Sequence, residues 1–150
     1  DIHFNDSEYE KWAAYGQSKT AASLLAIEVD KRMKDSGIRA FGVHPGGIIT
    51  PLQRHLEQEE MVALGWMDKE GQPTELVAKM FKTARQGAST SLWAATSPQL
   101  DDIGGVYCEN CEVAAPTDDG ENARFIGVND WAVDSEEASR LWDETELMLN

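Results

Sequence analysis

Apolar positions recur at helical spacing over residues 10–35, the longest periodic segment of the sequence. The recurring positions are Trp12, Tyr15, Ala22, Leu25, Val29 and Met33. Gly37 stands where a glycine usually ends a helix. The pattern predicts one long helix over residues 10–35, and its many small side chains would let another helix or a sheet approach closely.

A different pattern follows this helix. Residues 38–47, IRAFGVHPGG, form a largely apolar run that ends in proline and glycine. Such a run is typical of a strand buried on both faces of a parallel sheet. A helix followed by a buried strand predicts an α/β fold.

The rest of the chain predicts further helices and one more strand. We expect short helical pieces over 47–73, one or two helices over 74–98, a short strand and a turn-rich loop over 103–122, and a helix over 134–149 capped by Asp134 or Ser135. Two strands are too few for a stable parallel sheet. The sequence therefore predicts the later half of a larger α/β domain.

Composition and charge narrow the class of protein. The 150 residues are 41% apolar and 27% charged, as in ordinary globular domains. The formal net charge of −14 argues against nucleic acid and anionic membrane surfaces as partners. Residues 101–150 hold 14 acidic against 2 basic side chains, whereas residues 1–100 hold 13 against 11. An anionic ligand such as a dinucleotide would therefore meet little net repulsion in the first two thirds.

No apolar run approaches the length of a membrane span, and the opening residues DIHFNDSEYEKW lack the pattern of a signal peptide. We expect a soluble, cytoplasmic protein without a membrane span.

The two cysteines, Cys108 and Cys111, lie in the stretch YCENC. A zinc site would need two more ligands, and the three histidines all lie more than fifty residues upstream. We expect structural thiols and no metal site, with a disulfide or a redox role as the alternative.

Two short motifs indicate chemistry. Tyr15 and Lys19 stand four positions apart, so both side chains lie on one face of the predicted helix. Pro45, Gly46 and Thr50 form a Pro-Gly-x-x-x-Thr motif at the carboxyl end of the predicted strand, where open α/β sheets bind ligands. Tyr15 and Lys19 alone would fit a half-buried ring and a solvated ammonium, but the second motif favours a joint site.

Three stretches carry a family resemblance: WAAYGQSKTA at 12–21, RAFGVHPGGIITPL at 39–52 and, more loosely, GGVYCENCEVAAPTDDG at 104–120. The sequence resembles the short-chain dehydrogenase/reductase family, most closely its retinol dehydrogenase-like and WW-domain oxidoreductase-like branch. The resemblance covers nearly the whole chain but only the C-terminal half of a family domain. It implies the C-terminal, catalytic and substrate-side half of a Rossmann-type doubly wound parallel sheet, with the N-terminal cofactor-binding half absent.

The resemblance also implies an activity, the NAD(P)-dependent interconversion of an alcohol and a carbonyl (EC 1.1.1 type). Tyr15 would be the general acid or base. Lys19 would bind the nicotinamide ribose and lower the pKa of the Tyr15 hydroxyl from its unperturbed value near 10. The Ile48 main chain and the Thr50 side chain would hold the nicotinamide carboxamide.

The same resemblance assigns further residues to the turn and to the substrate. Pro45 and Gly46 would shape the close turn beside the cofactor, although both could simply end the strand. Trp66 and Met67 lie where the family places a mobile substrate lid, which suggests an apolar substrate, and a plain core contact fits them equally. His44 fits a strand-end residue better than a ligand.

The sequence departs from the family pattern in three respects. The family's serine on the strand before the catalytic helix and its asparagine one helix earlier are both missing, and Ser7 lies in a polar loop instead. The glycine-rich turn that receives the dinucleotide pyrophosphate is also missing. We therefore expect this chain by itself to bind NAD(P) poorly and to catalyse little.

Two alternatives stay open at this point. The chain could be a non-catalytic module that pairs with another protein through the small-residue face of the helix at 10–35, or an unrelated α/β domain with coincidental motifs. The same helix is a candidate surface for a homodimer.

Overall fold

The computed structural model describes residues 1–117 and 126–150. Its helices are α1 (Lys11–Met33), α2 (Gln58–Ala63), α3 (Glu75–Met80), α4 (Ala84–Thr96) and α5 (Ser135–Leu149), and its strands are β1 (Phe41–His44), β2 (Val106–Glu109) and β3 (Glu112–Val113). Short 3₁₀ turns cover Lys34–Ser36, Pro51–His55, Pro98–Leu100 and Asp130–Ala132. Of the described helices, none combines the length and the apolar character that a bilayer crossing needs.

Helix α1 begins and ends as the sequence predicts. The Glu10 carboxylate caps its first turn by accepting hydrogen bonds from the backbone N–H groups of Trp12 and Ala13, at 3.0 and 2.7 Å. After a 3₁₀ turn, Gly37 takes a left-handed conformation with φ of 76° and reverses the chain into β1. The predicted helix over 10–35 is confirmed, and so is a strand after it. The expected burial of that strand on both faces is not seen, because Gly42 is its only buried residue.

The described part of the sheet has three strands in the order β1-β2-β3. Strands β1 and β2 are parallel, in a register that sets Phe41 beside Val106 and His44 beside Glu109. Strand β3 returns antiparallel to β2, with Val113 beside Cys108. The α/β class is confirmed, but this sheet is mixed and small, and a doubly wound parallel sheet is not seen in residues 1–117 and 126–150.

A tight hairpin explains why the sheet is mixed. Asn110 and Cys111 connect β2 to β3 with φ values of 50° and 60°, which are the left-handed conformations of a type I′ turn. The sequence predicted only a turn-rich loop here, so β3 is a correction. The rest of that predicted loop, 118–125, lies outside the described residues. Both cysteine thiols are free, and Cys108 is fully buried.

The helical region between the two parallel strands follows the prediction. Short helices α2 and α3 precede the longer α4, and threonine caps begin α3 and α4. At α4, Thr83 and Gln86 form a capping box, in which each side chain bonds the backbone N–H of the other residue.

The core lies where α1 packs on α5. Leu24, Ile27 and Ala138 form the buried cluster, and Val133 and Leu141 cover it. Helix α5 is capped by Asp134, which accepts from two backbone N–H groups of the first turn, as predicted.

Two buried carboxylates beside this core form hydrogen bonds with neighbouring elements. Glu28 is 1% exposed and accepts from Arg32 at 2.7 Å and from Ser139 of α5 at 2.9 Å. Asp30 accepts from the Arg39 guanidinium at 2.8 and 3.1 Å and so holds the loop that leads into β1. Paired in this way, both carboxylates tolerate burial.

Candidate active site

Tyr15 and Lys19 lie on one exposed face near the start of α1. The Lys19 ammonium is 5.3 Å from the centroid of the Tyr15 ring. Trp12 packs edge-on against the same ring, with centroids 6.1 Å apart. Tyr15 is 50% exposed, and within the described part of the chain its hydroxyl forms no hydrogen bond. The pair is therefore open to a small molecule.

The turn after β1 faces this pair and is held close to the segment before α4. Gly46 has φ of 88°, and a Cβ atom there would come within 2.9 Å of the Lys82 side chain. The Lys82 N–H donates to the Gly47 carbonyl at 2.7 Å, and the Lys82 ammonium donates to Asn110 Oδ1 at 2.6 Å. The left-handed conformation of Gly46 therefore favours glycine at the predicted Pro45-Gly46 turn, whereas the flexible Lys82 side chain could move away from an added Cβ atom.

The end of this turn contains a side chain that the sequence analysis did not single out, Gln53. Its amide nitrogen donates to the Ile48 carbonyl at 2.9 Å, and its oxygen accepts from the Thr50 N–H at 2.7 Å. The Thr50 hydroxyl lies 3.3 Å from the same oxygen and accepts from the Leu52 N–H at 3.2 Å. The Gln53 position could have been found from the Thr-x-x-Gln spacing, which is typical of a capping box.

One cleft of about 980 Å³ joins these groups. Seven of the predicted site residues line it: Tyr15, Lys19, Pro45, Gly46, Ile48, Thr50 and Trp66. Met67 is not among the lining residues and instead pairs with Pro73 across a small bridge. Trp66 packs edge-on against Phe81 on the apolar wall, with ring centroids 5.6 Å apart. The structure thus gathers both sequence motifs at one surface.

Two further titratable residues, His44 of β1 and Tyr107 of β2, also line the cleft. The His44 ring stacks on Tyr107, with centroids 6.4 Å apart, and its Nδ1 atom lies 3.8 Å from Glu109 Oε2. Burial lowers the pKa of His44 below its usual value against the opposing effect of Glu109, and Lys82 lowers it further. Burial, Glu109 and Tyr15 together raise the pKa of the Tyr107 hydroxyl. His44 is the last residue of β1, and its lowered pKa favours the neutral imidazole. That it does not bind a ligand stays a prediction.

The donor set of the turn fits a carboxamide. The groups that the resemblance assigns to a nicotinamide carboxamide, the Ile48 main chain and Thr50, already contact the carboxamide of Gln53. One carbonyl acceptor and one hydroxyl donor on the same edge of a cleft match the N–H and C=O groups of a primary amide. The residues present are therefore compatible with a nicotinamide ring in this cleft.

Comparisons with known proteins agree with the family that the motifs indicated. The chain is 37% identical over 145 residues to a short-chain dehydrogenase/reductase of Penicillium roqueforti, covering 97% of this chain and 40% of that protein. It is 42% identical over 143 residues to a probable oxidoreductase of Streptomyces lividans, and the match covers 95% of this chain and 47% of that protein. It is 30% identical over 146 residues to retinol dehydrogenase 11 of Mus musculus, and the match covers 95% of this chain and 39% of that protein.

These matches fall on the C-terminal half of the longer relatives, and the chain spans less than half of their length. No protein-family model matches the chain. The resemblance to short-chain dehydrogenases/reductases and related oxidoreductases is therefore confirmed along nearly all of this sequence.

Proposed function

We propose that this chain forms the catalytic and substrate side of an NAD(P)-dependent oxidoreductase that interconverts an alcohol and a carbonyl. The observation that carries the proposal is the single cleft that contains both the Tyr15-Lys19 pair and the turn from Pro45 to Thr50. Similarity to named oxidoreductases over 94–97% of the chain supports the same reaction class.

Tyr15 is the proposed general acid in carbonyl reduction and the general base in alcohol oxidation. Its ring is half exposed at the cleft, so a substrate oxygen can reach the hydroxyl without rearrangement of the core. The Lys19 ammonium lies 5.3 Å from the ring centroid, so its positive charge is close to the proposed proton donor. A hydroxyl that the substrate can reach, beside a positioned positive charge, is an arrangement suited to acid-base catalysis.

The turn after β1 is the proposed nicotinamide site. Ile48 and Thr50 would hold the carboxamide, Pro45 and Gly46 would shape the close approach, and Lys19 would also bind the ribose. When bound, NAD or NADP supplies or accepts the hydride at C4 of the nicotinamide ring. The chain's own groups hold that ring, orient the substrate oxygen and move one proton at Tyr15 Oη.

The proposed substrate is a small alcohol or carbonyl compound with an apolar body. Trp66 and Phe81 give one wall of the cleft an aromatic surface. Retinol dehydrogenase 11, one of the relatives, is named for an apolar alcohol. Met67, outside the cleft, is proposed to contact the substrate only if the segment between α2 and α3 closes.

We further propose that residues 1–150 make up the C-terminal part of one Rossmann-type domain. The sequence contains no glycine-rich turn for a dinucleotide pyrophosphate, and the relatives are more than twice as long. Full cofactor affinity and turnover are therefore expected only together with a domain half of the kind that these relatives contain, and weak binding is expected from residues 1–150 alone.

The test uses the protein expressed from its complete reading frame, with NAD(P)H oxidation measured against a panel of apolar aldehydes and ketones. Tyr15→Phe removes the transferable proton and should lower kcat by at least about 100-fold. Tyr9→Phe is the matched control, because Tyr9 is 66% exposed and lies outside the cleft. Wild-type rates in Tyr15→Phe would refute the catalytic assignment.

A further inference from the structure

Gln53 differs from an ordinary capping residue because it forms one additional hydrogen bond. Its oxygen accepts from the Thr50 N–H at 2.7 Å, which is the usual capping-box contact. Its amide nitrogen also donates to the Ile48 carbonyl at 2.9 Å, two residues before the cap. Gln53 lines the cleft itself. One side chain therefore ties together the two residues that are proposed to hold the nicotinamide carboxamide.

A second capping box in the same chain provides an internal comparison. At the start of α4, Gln86 accepts from the Thr83 N–H at 2.9 Å and lies 3.0 Å from the Thr83 hydroxyl. Gln86 does not line the cleft and has no described bond to a carbonyl before its cap. The two boxes thus share their capping chemistry and differ in the contact to Ile48.

We propose that Gln53 is a positioning residue for cofactor binding, because it fixes the Ile48 carbonyl and the Thr50 hydroxyl before a nicotinamide carboxamide arrives. This inference rests on the proposed function. Without Gln53, the segment from Ile48 to Thr50 would have to lose conformational freedom at the moment of binding, which weakens affinity.

The existing bonds leave room for the cofactor amide. A carbonyl oxygen has two lone pairs, so the Ile48 carbonyl can accept from Gln53 and from one more N–H group. The Thr50 hydroxyl accepts from the Leu52 N–H, and its own proton is free to turn from the distant Gln53 oxygen, 3.3 Å away, toward a ligand carbonyl. Gln53 therefore orients both groups without using up their bonding capacity.

The experiment measures cofactor affinity by fluorescence titration in the protein from the complete reading frame, using NADH or NADPH, whichever binds more tightly. Gln53→Met keeps the side-chain length and removes both hydrogen bonds. We expect its dissociation constant to rise about 5-fold, the equivalent of one hydrogen bond. Gln53→Glu keeps an acceptor for the Thr50 N–H but cannot donate to Ile48, and should weaken binding by a similar factor.

Two controls separate positioning from general stability. Gln86→Met removes the matched capping box and should change the dissociation constant less than about 2-fold. The 3-acetylpyridine analogue of the cofactor lacks the amide N–H that would reach the Ile48 carbonyl. Because the analogue keeps only the carbonyl that would contact Thr50, its affinity should depend less on residue 53 than that of the natural cofactor. The preference of the wild type for the natural cofactor should therefore shrink in both Gln53 variants.

The outcomes distinguish this inference from the proposed function. Wild-type protein that binds neither NADH nor NADPH would overturn both. Normal wild-type binding with unchanged or tighter binding in the Gln53 variants would overturn only the positioning role. Equal losses in Gln53→Met and Gln86→Met, or equal losses for the cofactor and its analogue, would also overturn it. If Gln53→Met does not fold, the result for Gln53→Glu decides in the same way.

Discussion

The two halves of α1 differ in what their side chains do. In the first half, Tyr15 and Lys19 face the open cleft, and Tyr15 is 50% exposed. In the second half, Leu24, Glu28 and Asp30 are all under 10% exposed and pack or bond to α5 and to the loop before β1. The same helix therefore supplies the proposed chemistry at one end and the anchoring of the domain at the other, and the two functions should separate on mutation.

The largest effect on activity is expected from a substitution in the first half of α1, which faces the cleft. Lys19→Met removes the positive charge beside the Tyr15 ring and the proposed ribose contact, and we expect kcat/KM to fall about 100-fold. The unfolding temperature should change little, because Lys19 belongs to the cleft and not to the core. Steady-state kinetics and a thermal melt of the same sample test both expectations.

Lys79→Met is the matched control for that variant. Lys79 lies on α3 in an exposed pair with Glu75, where the two side chains are 74% and 91% exposed. Its removal should leave both kcat/KM and the unfolding temperature unchanged. Equal loss of activity in the two lysine variants would contradict a specific role of Lys19.

A substitution in the second half of α1, which packs on α5, is expected to lower the stability of the protein. Glu28→Ala would leave Arg32, Lys31 and Ser139 without their shared acceptor across the contact of α1 with α5. We expect the free energy of unfolding to fall by about 2 kcal/mol. Chemical denaturation monitored by circular dichroism measures this loss. Glu75→Ala, in the exposed pair on α3, is the control and should have no measurable effect.

Acidic pH should reduce the stability that the buried carboxylates in the second half of α1 contribute. Hydrogen bonds from Arg39 hold the pKa of Asp30 below its ordinary value against the effect of burial, with help from the Ala40 N–H. Burial alone would raise the pKa of Glu28, but bonds from Arg32, Ser139 and Lys31 outweigh it and lower the pKa. A carboxylate with a lowered folded-state pKa stabilises the fold above its unfolded-state pKa, and this stabilisation disappears as the pH falls through the folded-state value.

We therefore expect stability to be constant near neutral pH and to decline as the pH falls below about 4. Denaturation curves at several pH values measure this decline. Asp30→Asn should be less stable at pH 7 and should show a shallower decline in acid. An unchanged acid slope in Asp30→Asn would show that Asp30 does not contribute to it.

The smallest effect concerns the wall of the cleft behind Ile48. A Cβ atom at Gly87 of α4 would overlap Ile48 Cδ1. Gly87→Ala should therefore push the Ile48 side chain aside and weaken cofactor binding about 2-fold to 3-fold. Adding Ile48→Val removes the Cδ1 atom and should restore most of the affinity. Loss in the single variant without recovery in the double variant would contradict this explanation.

Local patterns in the sequence predicted much of this arrangement. The helix over 10–35, the strand after Gly37 and the Asp134 cap all follow from short-range rules of periodicity and capping. Tyr15 and Lys19 were proposed from their spacing on one helix, and Thr50 from its distance from the Pro-Gly turn, and all three line one cleft.

The remainder depends either on contacts between distant parts of the chain or on local features that residue patterns do not reveal. The pairing of β1 with β2 brings Tyr107 to the cleft across more than sixty residues, and no local pattern encodes it. Strand β3 was missed because it is two residues long and its turn uses Asn110-Cys111 instead of a more usual Asn-Gly. Gln53 was missed because its importance lies in a side-chain bond to the Ile48 carbonyl.

A crystal structure of the protein from the complete reading frame with bound NADH or NADPH tests the central claim most directly. The account predicts that the nicotinamide ring lies in the cleft beside Tyr15 and Lys19, with its carboxamide bonded to the Ile48 main chain and Thr50. A nicotinamide ring located elsewhere, with no contact to either motif, would contradict the assignment of this cleft as the active site.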